Sequence, residues 1–427
     1  MAIIAIFVGS LIGAMAIGVP IAYALILCGI AMMHYLGLFD SQIIAQNLIN
    51  GADSFPLMAV PFFILAGEVM NAGGLSKRIV AMAVALVGHI KGGLGYVAIL
   101  AACLLASLSG SAAADAAALS ALLVPMMVKA GHNKATSAGL IASAGIIAPV
   151  IPPSIGMILF GVAANVSITK LFLAGIIPGL LMGAFLCVAW YLMSKREALE
   201  TPARKPLREV LKAFYNGIWA LFLPVIILVG LKFGVFTPTE AGVIAAVYAL
   251  FVSIVIYREL SLRDLYDVLL AAVKTTSMVM FLVASAMVAA WVITVADLPG
   301  QIISLLEPLM DSPKLLMLLI MALIVVIGMA MDMSPIILIL APVLLPVATT
   351  AGIDPVYFGV LFVMTCSIGL ITPPVGLVLN VVAGVSKIDL IDTIKGTLPF
   401  LIAELLVVLL LIAFPQLLMV PAAWLVQ

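Results

Sequence analysis

Long stretches without a charged side chain constrain the fold of this 427-residue chain more than any other feature. Residues Ile3 to Met33 contain no Asp, Glu, Lys or Arg, and neither do residues Phe214 to Gly230. Residues Leu401 to Gln427 contain one such side chain, Glu404. A helix needs roughly 20 apolar residues to cross the hydrocarbon core of a bilayer. These stretches therefore predict membrane-spanning helices.

The composition agrees with this prediction, because 66% of the residues are hydrophobic and 9% are charged. A soluble protein of this length could not cover so much apolar surface with so few charges. We predict an all-α polytopic membrane protein with roughly 10 to 12 membrane elements. The N-terminal segment lacks the basic region and cleavage site of a signal peptide, so we expect it to be the first membrane segment.

Several function classes find no support in the sequence. The net charge is zero, which gives no case for nucleic-acid binding. The four cysteines lie in apolar runs without CxxC spacing, and the three histidines are isolated, so we expect no transition-metal site. The stretch GGLG at Gly92 to Gly95 lacks the lysine and hydroxyl ending of a phosphate-binding loop. We expect no enzyme activity and no ATP hydrolysis.

One polar segment divides the chain near its middle. The stretch Ser194 to Lys212 carries six basic residues. Short basic loops stay on the cytoplasmic side of the membrane, so we place this segment inside the cell. The predicted organisation is a first repeat at 1–193, a cytoplasmic linker at 194–213 and a second repeat at 214–427.

The two halves align at a shift of 221 positions. Pro125 falls on Pro346, and the pair Pro152-Pro153 falls on Pro373-Pro374, without a gap between these matches. This register indicates an internal duplication. The two repeats are expected to be inverted relative to each other if each crosses the membrane an odd number of times.

Each half contains the same series of predicted elements. Two apolar pieces of roughly 15 residues flank a polar or flexible tip, at about 91–131 and again at about 314–351. Each piece is too short to span comfortably, which predicts a re-entrant helical hairpin. A helix follows each hairpin, at about 134–147 and from about 355. Each of these helices is then broken and continues, to about Asn165 and about Val385.

Prolines mark the two breaks, because proline removes a backbone donor and clashes with the preceding helical turn. The predicted break residues are Pro149, Pro152, Pro153, Pro373 and Pro374. Irregular backbone at membrane depth is tolerated where protein buries it or where it lines a cavity. Repeats with broken helices are typical of secondary transporters, whose sites lie where these helices meet. Carbonyl groups freed at such a break can coordinate a cation, and free N–H groups suit an anion.

Hard oxygen donors without thiolate or imidazole clusters favour sodium over a transition metal. The sodium-ligand candidates of the first repeat are Ser107, Ser109, Ser111, Gly145 and Ala148. Those of the second repeat are Gly328, Asp332, Thr365, Gly369 and Thr372. Candidate substrate ligands are Ser154, Asp115 and Asn380. The alternative for the serines is close helix packing by small residues, and the alternative for Asp115 is pairing with a cation or contact with water.

Four sequence blocks resemble those of the large membrane subunit of TRAP transporters, the tripartite ATP-independent periplasmic family. They read SLSGSAAADAAAL, IAPVIPPSIGMILFG, FTPTEAGVIAAVYAL and ITPPVGLVLNVVAGVS. The resemblance covers essentially the whole chain and implies sodium-driven import of organic-acid anions, such as dicarboxylates, keto acids or sialic acids. It also implies the inner membrane of a bacterium or archaeon, with the surrounding lipid.

The resemblance implies two partners, a small four-helix membrane subunit that is not expected to be fused here, and a periplasmic substrate-binding protein. It further implies an elevator mechanism, in which a transport domain at about 91–165 and 314–385 slides against a scaffold formed by the remainder. Two rival functions stay open. One is a self-sufficient sodium–dicarboxylate symporter without a binding protein, and the other is a channel or assembly scaffold.

Overall fold

The computed structural model describes residues 2–195 and 204–426, and within those ranges it contains helices and connections but no β-strand. The first half contains the helices α1 (Ala2–Ala16), α2 (Ile21–Tyr35), α3 (Ser41–Ala52), α4 (Ala59–Ala72), α5 (Leu75–Val87), α6 (Gly93–Ser109), α7 (Ala112–Lys129), α8 (Lys134–Gly145), α9 (Ile155–Ala163) and α10 (Ile168–Ser194). A 3₁₀ turn at Phe55–Met58 precedes α4. Residues 196–203 of the predicted linker lie outside the described residues.

The second half contains a corresponding set of helices. They are α11 (Leu207–Lys232), α12 (Pro238–Phe251), α13 (Leu262–Val295), α14 (Leu298–Met310), α15 (Pro313–Gly328), α16 (Met333–Thr350), α17 (Pro355–Gly369), α18 (Leu377–Ser386), α19 (Leu390–Ala413) and α20 (Gln416–Val426). Eight helical segments within the described ranges are long and apolar enough to cross a membrane. The predicted all-α, multi-pass fold is confirmed.

The register of the duplication reappears in the helix boundaries. A shift of 221 carries α7, Ala112–Lys129, onto α16, Met333–Thr350, at both ends. The same shift carries Asn133 onto Asp354, and each of these side chains caps the following helix by accepting a backbone N–H bond. Such caps satisfy donors that a helix start leaves free. The two repeats therefore use the same local signals at the same positions.

Both halves contain the expected hairpin and broken helix. The hairpins are α6–α7 and α15–α16, and the broken helices are α8–α9 and α17–α18. The helix predicted to reach Ile147 ends at Gly145, because the N–H groups of Ile147 and Ala148 bond three residues back instead of four. Tightened turns of this kind commonly end a helix.

The broken helices lie in a central layer that also contains α10 and α19. The backbones of α8 and α19 touch, since a Cβ built on Gly139 would lie 2.2 Å from the carbonyl carbon of Gly396. Trp190 of α10 stacks on Phe400 of α19 with 6.3 Å between ring centroids. The predicted transport-domain ranges leave α10 and α19 outside, and that boundary stays a prediction.

A second layer joins α1–α4 to α12 and α13. The carbonyl of Phe55 accepts a hydrogen bond from the Thr239 hydroxyl at 3.0 Å, which ties the start of α4 to α12. On α13, Val288 lies against Gly29 of α2 and Met287 lies against Gly51 of α3. Helices of both halves therefore build this outer layer as well as the central one.

Candidate functional site

The tip of the first hairpin lies against the first helix break. Gly110 connects α6 to α7 with φ of 61°, a left-handed conformation that favours glycine. A Cβ at Gly110 would lie 2.8 Å from the carbonyl oxygen of Pro153. Glycine therefore lets the hairpin tip approach the backbone of the break directly.

Three predicted ligands meet at this tip. The Ser109 hydroxyl donates to Oδ1 of Asp115 at 2.5 Å and accepts the backbone N–H of Ser111 at 3.2 Å. Asp115 is 2% exposed, and its Oδ2 has no hydrogen-bond partner within the described part of the chain. A buried carboxylate oxygen without a partner is costly unless a cation or proton compensates it.

The other first-repeat candidates are engaged in local structure. The Ser107 hydroxyl donates to the carbonyl of Leu104 at 2.7 Å, and the Ser111 hydroxyl accepts the N–H of Ala114 at 3.4 Å. The carbonyl of Gly145 accepts the N–H of Ala148 at 3.2 Å. The expectation that the helix end leaves its last carbonyls without donors was therefore wrong for Gly145, although a carbonyl keeps a second lone pair.

The first break is buried throughout. Ser154 donates its hydroxyl to the carbonyl of Pro149 and accepts the N–H of Met157 at 3.2 Å, so that it caps α9. Both functions of this hydroxyl are satisfied inside the protein. The Pro152-Pro153 peptide bond is cis, as is that of Pro373-Pro374. To donate to an anionic substrate, Ser154 would have to give up its bond to the carbonyl of Pro149.

The second hairpin meets the second break in the same manner. The N–H of Gly376, at the end of the break, donates to the carbonyl of Met329 at 3.2 Å. Gly328 of the hairpin and Gly369 of the broken helix face each other, since a Cβ on Gly369 would lie 2.7 Å from the Cα of Gly328. The two predicted sodium ligands therefore come together through their backbones.

The remaining second-repeat candidates fall into a buried and an exposed group. Thr365 and Thr372 are buried; their hydroxyls donate to Sδ of Met321 at 3.1 Å and to the carbonyl of Ile368 at 2.8 Å. Asp332 and Asn380 are exposed. Asp332 occupies the position before α16 and forms no capping bond with the described backbone.

Asn380 lies one turn into α18 and supports the second break. Its Nδ2 donates to the carbonyls of Val375 at 2.7 Å and Gly376 at 3.3 Å. Both donor hydrogens of the amide are used in these two bonds, so a ligand would reach this side chain through its oxygen or by displacing one of the two carbonyls.

The two hairpin–break pairs are adjacent. Met333, the first residue of α16, reaches the first repeat, since a Cβ on Gly156 would lie 2.9 Å from its sulfur. Phe160 of α9 packs on Phe358 and Phe362 of α17, with centroids 6.2 and 5.4 Å apart. The structure thus brings both sets of predicted ligands into one central region.

Glu404 was not among the predicted site residues. It lies on α19, is fully buried, and both carboxylate oxygens are without a hydrogen-bond partner in residues 2–195 and 204–426. A charge-bearing residue inside an apolar segment was visible in the sequence and was a signal for function. Glu404 is far from the hairpins in sequence, so its position in the central layer could not be predicted from the sequence.

A family model for the DctM component of the tripartite ATP-independent periplasmic transporters matches residues 8–417. The chain belongs to this family. The resemblance found in the four sequence blocks is therefore confirmed. The family consists of transporter permeases, so the expectation that the chain is not an enzyme is also confirmed.

Full-length relatives agree with this assignment. The chain is 56% identical to the 2,3-diketo-L-gulonate TRAP transporter large permease protein YiaN of Escherichia coli (strain K12), over 98% of this chain and 99% of that protein. It is 40% identical to the C4-dicarboxylate large permease DctM of Pseudomonas aeruginosa over 90% of each chain. It is 38% identical to the sialic acid large permease SiaM of Vibrio cholerae over 96% of each chain.

The fold of this TRAP large permease is also similar to a solved structure. The YdaH transporter of Alcanivorax borkumensis superimposes with a TM-score of 0.64, covering 88% of this chain and 89% of that one. The sequence identity is 16%, so this likeness concerns the fold alone.

Proposed function

We propose that this TRAP large permease imports an organic-acid anion by sodium-coupled secondary transport. The observation that carries the proposal is the pairing of each hairpin tip with a helix break, at Gly110 with Pro153 and at Met329 with Gly376. Transporters place their ion and substrate sites where discontinuous helices meet. This arrangement favours a transport function over the rival function of an assembly scaffold, because a scaffold would not need broken helices.

The first tip provides the chemistry of a cation site. Asp115 offers a buried carboxylate oxygen that has no hydrogen-bond partner among the described residues, and Ser109 lies beside it. Oxygen ligands of this kind suit sodium. A buried negative charge would repel an anionic substrate, so we propose Asp115 as part of the sodium site and no longer as a substrate ligand.

The second tip provides the candidate substrate surface. Asn380 is exposed beside the break, and the N-terminus of α18 begins there. A helix N-terminus favours a carboxylate, and the Asn380 amide would donate to it if the carboxylate displaced the carbonyl of Val375 or Gly376. Substrate would therefore bind next to the second break while sodium binds at the buried first tip and at the carbonyls near Gly369.

The remaining parts of the function follow from the family. We propose a small membrane subunit and a periplasmic binding protein as partners, and a bacterial inner membrane as the location. Relative motion of the hairpins and broken helices against the outer helices would supply alternating access in an elevator manner. The relative named for 2,3-diketo-L-gulonate makes keto sugar acids the first substrate class to test.

The test is uptake in proteoliposomes that contain this chain with its small subunit and a candidate binding protein. Each of 2,3-diketo-L-gulonate, a C4-dicarboxylate and a sialic acid is offered under an inward sodium gradient, an equal potassium gradient and a proton gradient. We expect concentrative uptake of one substrate under sodium alone. Uptake that persists unchanged under the proton gradient alone would contradict the sodium assignment.

Omission of the binding protein separates the proposal from its first rival. Uptake that needs no binding protein would indicate a self-sufficient symporter. Flux that does not saturate with substrate would indicate a channel.

A further inference from the structure

Helix α5 connects the outer layer to the first hairpin and has a cavity at its start. This cavity, of about 660 Å³, lies between α5 and the beginning of α11. Its charged lining residues are Lys77, Arg78, Lys205, Lys212, Glu209 and Glu259. Four cationic and two acidic groups leave the lining with a net charge of plus two.

Ion pairing inside the cavity leaves the lysines as the excess charge. Arg78 forms a 2.7 Å salt bridge with Glu259, and its guanidinium lies 3.7 Å from the ring centroid of Tyr257. Arg78 is thus fixed in place by two neighbours. The three lysines share the cavity with one further carboxylate, so an anion would find uncompensated positive charge there.

A second cavity continues along the same helix and is mostly apolar. It has a volume of about 430 Å³ and lies between the end of α5 and the base of the first hairpin. Its apolar lining includes Val84, Leu94 and Met126. His89 and Lys129 also line this cavity, and Lys205 lines both cavities. A basic cavity and an apolar one therefore meet at a single lysine.

Side chains around the basic cavity have the composition that is typical of the membrane interface. Leu207, Leu211 and Tyr215 on the first turns of α11 are 73%, 59% and 73% exposed, beside the lysines. Exposed leucines next to charged groups, with an aromatic side chain among them, are typical of the boundary between headgroups and hydrocarbon.

We propose that these two cavities, which we call the α5 lipid site, bind one anionic phospholipid. Its phosphate would lie among Lys77, Lys205 and Lys212, and an acyl chain would follow the apolar cavity towards the hairpin. Basic pockets between membrane helices recognise anionic headgroups in this manner. A soluble phosphate shares the headgroup chemistry but would leave the apolar cavity unfilled.

The position of the site gives the lipid a functional consequence. Helix α5 begins at Leu75, shortly after the end of α4, and ends at Val87, before α6 of the first hairpin. A lipid held against α5, α11 and the hairpin base would contact both layers of the protein. Occupancy would therefore change the rate of transport as well as stability. This consequence rests on the proposed transport function, whereas lipid binding does not.

The experiment measures lipid binding to the purified full-length permease in detergent. Thermal stability and native mass spectra are recorded with added phosphatidylglycerol, phosphatidylcholine, glycerol phosphate and inorganic phosphate. We expect phosphatidylglycerol alone to stabilise the protein and to remain bound. In Lys77→Gln, Lys205→Gln and Lys212→Gln the apparent affinity should fall about fivefold for each lysine removed.

The matched control is Lys232→Gln, because Lys232 is an exposed lysine at the opposite end of the same helix α11. This variant should bind phosphatidylglycerol as the parent protein does. Equal stabilisation by phosphatidylcholine, or full stabilisation by inorganic phosphate, would overturn the proposal. A loss of phosphatidylglycerol affinity in Lys232→Gln equal to that in the three other lysine variants would also overturn it. Monodisperse elution of every variant keeps these outcomes separate from misfolding, and uptake is not needed to decide them.

Discussion

The two repeats share the boundaries of the second hairpin helix, α7 and α16, but their breaks differ in burial. In the first repeat the break is buried, Ser154 caps the following helix, and Asp115 lies buried at the hairpin tip. In the second repeat Pro374 and Val375 are exposed, and so is Asp332 at the corresponding tip. The position equivalent to Asp115 is Ile336, since both are related by 221. One duplicated framework has thus acquired a closed, acidic half and an open, polar half.

The outer layers differ as well. In the first repeat α3 and α4 are separate helices, with a 3₁₀ turn at Phe55–Met58 between them. The second repeat runs through the corresponding region as one helix, α13, of 34 residues. In both repeats a 13-residue helix follows, α5 or α14, after a residue with left-handed φ. A duplicated chain can therefore keep a connecting helix while it changes the helix before it.

The largest effect is expected from the carboxylates at the two tips. Asp115→Asn removes a buried charged ligand, which costs about 1.5–3 kcal/mol. We expect apparent sodium affinity to fall about 10- to 150-fold. Asp332→Asn, at the exposed tip, should change it less than about fivefold, because water screens an exposed charge. Sodium titrations of uptake, with folded protein quantified, measure both. A larger loss in the Asp332 variant would reverse the assignment of the two halves.

The proline pairs test whether the breaks serve the ion site. Replacement of Pro152-Pro153 by two alanines should let the helix continue and withdraw carbonyl ligands. Losing such a contact costs about 1–3 kcal/mol, which corresponds to about 5- to 150-fold in sodium affinity. The same change at Pro373-Pro374 should withdraw the carbonyls near Gly369 and lower sodium affinity as well, and it should also raise substrate KM. Normal sodium dependence in both well-folded variants would show that the breaks only shape the helices.

The third test exchanges the residues that differ at the hairpin contact. Gly369 of the second repeat corresponds to Ala148 of the first at the shift of 221. Gly369→Ala would place a Cβ 2.7 Å from the Cα of Gly328, and such overpacking costs about 1–3 kcal/mol. Ala148→Gly should cost about 0.5–1 kcal/mol from backbone entropy. Denaturation of both variants in detergent measures the difference, and equal losses would contradict the close contact.

The sequence predicted the parts of the fold that local chemistry determines. The lengths of the apolar stretches predicted the membrane spans, and the prolines predicted the breaks between α8 and α9 and between α17 and α18. The shift of 221 was visible because the double prolines mark breaks that both repeats need, and because Pro125 inside α7 has a counterpart, Pro346, inside α16. The exact ends of the helices were harder to predict, because the tightened turns after Gly145 depend on how the break packs.

The site was harder to predict because it depends on contacts between distant segments. Ser109 and Asp115 are close in sequence, and their hydrogen bond lies within reach of pattern reasoning. The hydrogen bonding of Ser154 could not be predicted, because nothing in the sequence indicates that its hydroxyl donates to the carbonyl of Pro149. The exposure difference between the two breaks also has no local signature, because it arises from the helices packed around each.

The smallest effect is expected at Asn380, where the open half should distinguish substrate from sodium. Asn380→Ala removes the donor that holds Val375 and faces the proposed substrate surface, and a lost hydrogen bond of this kind costs about 1 kcal/mol. We expect substrate KM to rise about fivefold while the sodium dependence is unchanged. The matched variant is Ser154→Ala, in the closed half, whose hydroxyl is fully engaged with Pro149 and Met157. It should lower stability and leave substrate KM nearly unchanged. If Ser154→Ala raised KM more than Asn380→Ala, the substrate would bind at the buried first break, and the division of labour between the repeats would be the reverse of the one proposed.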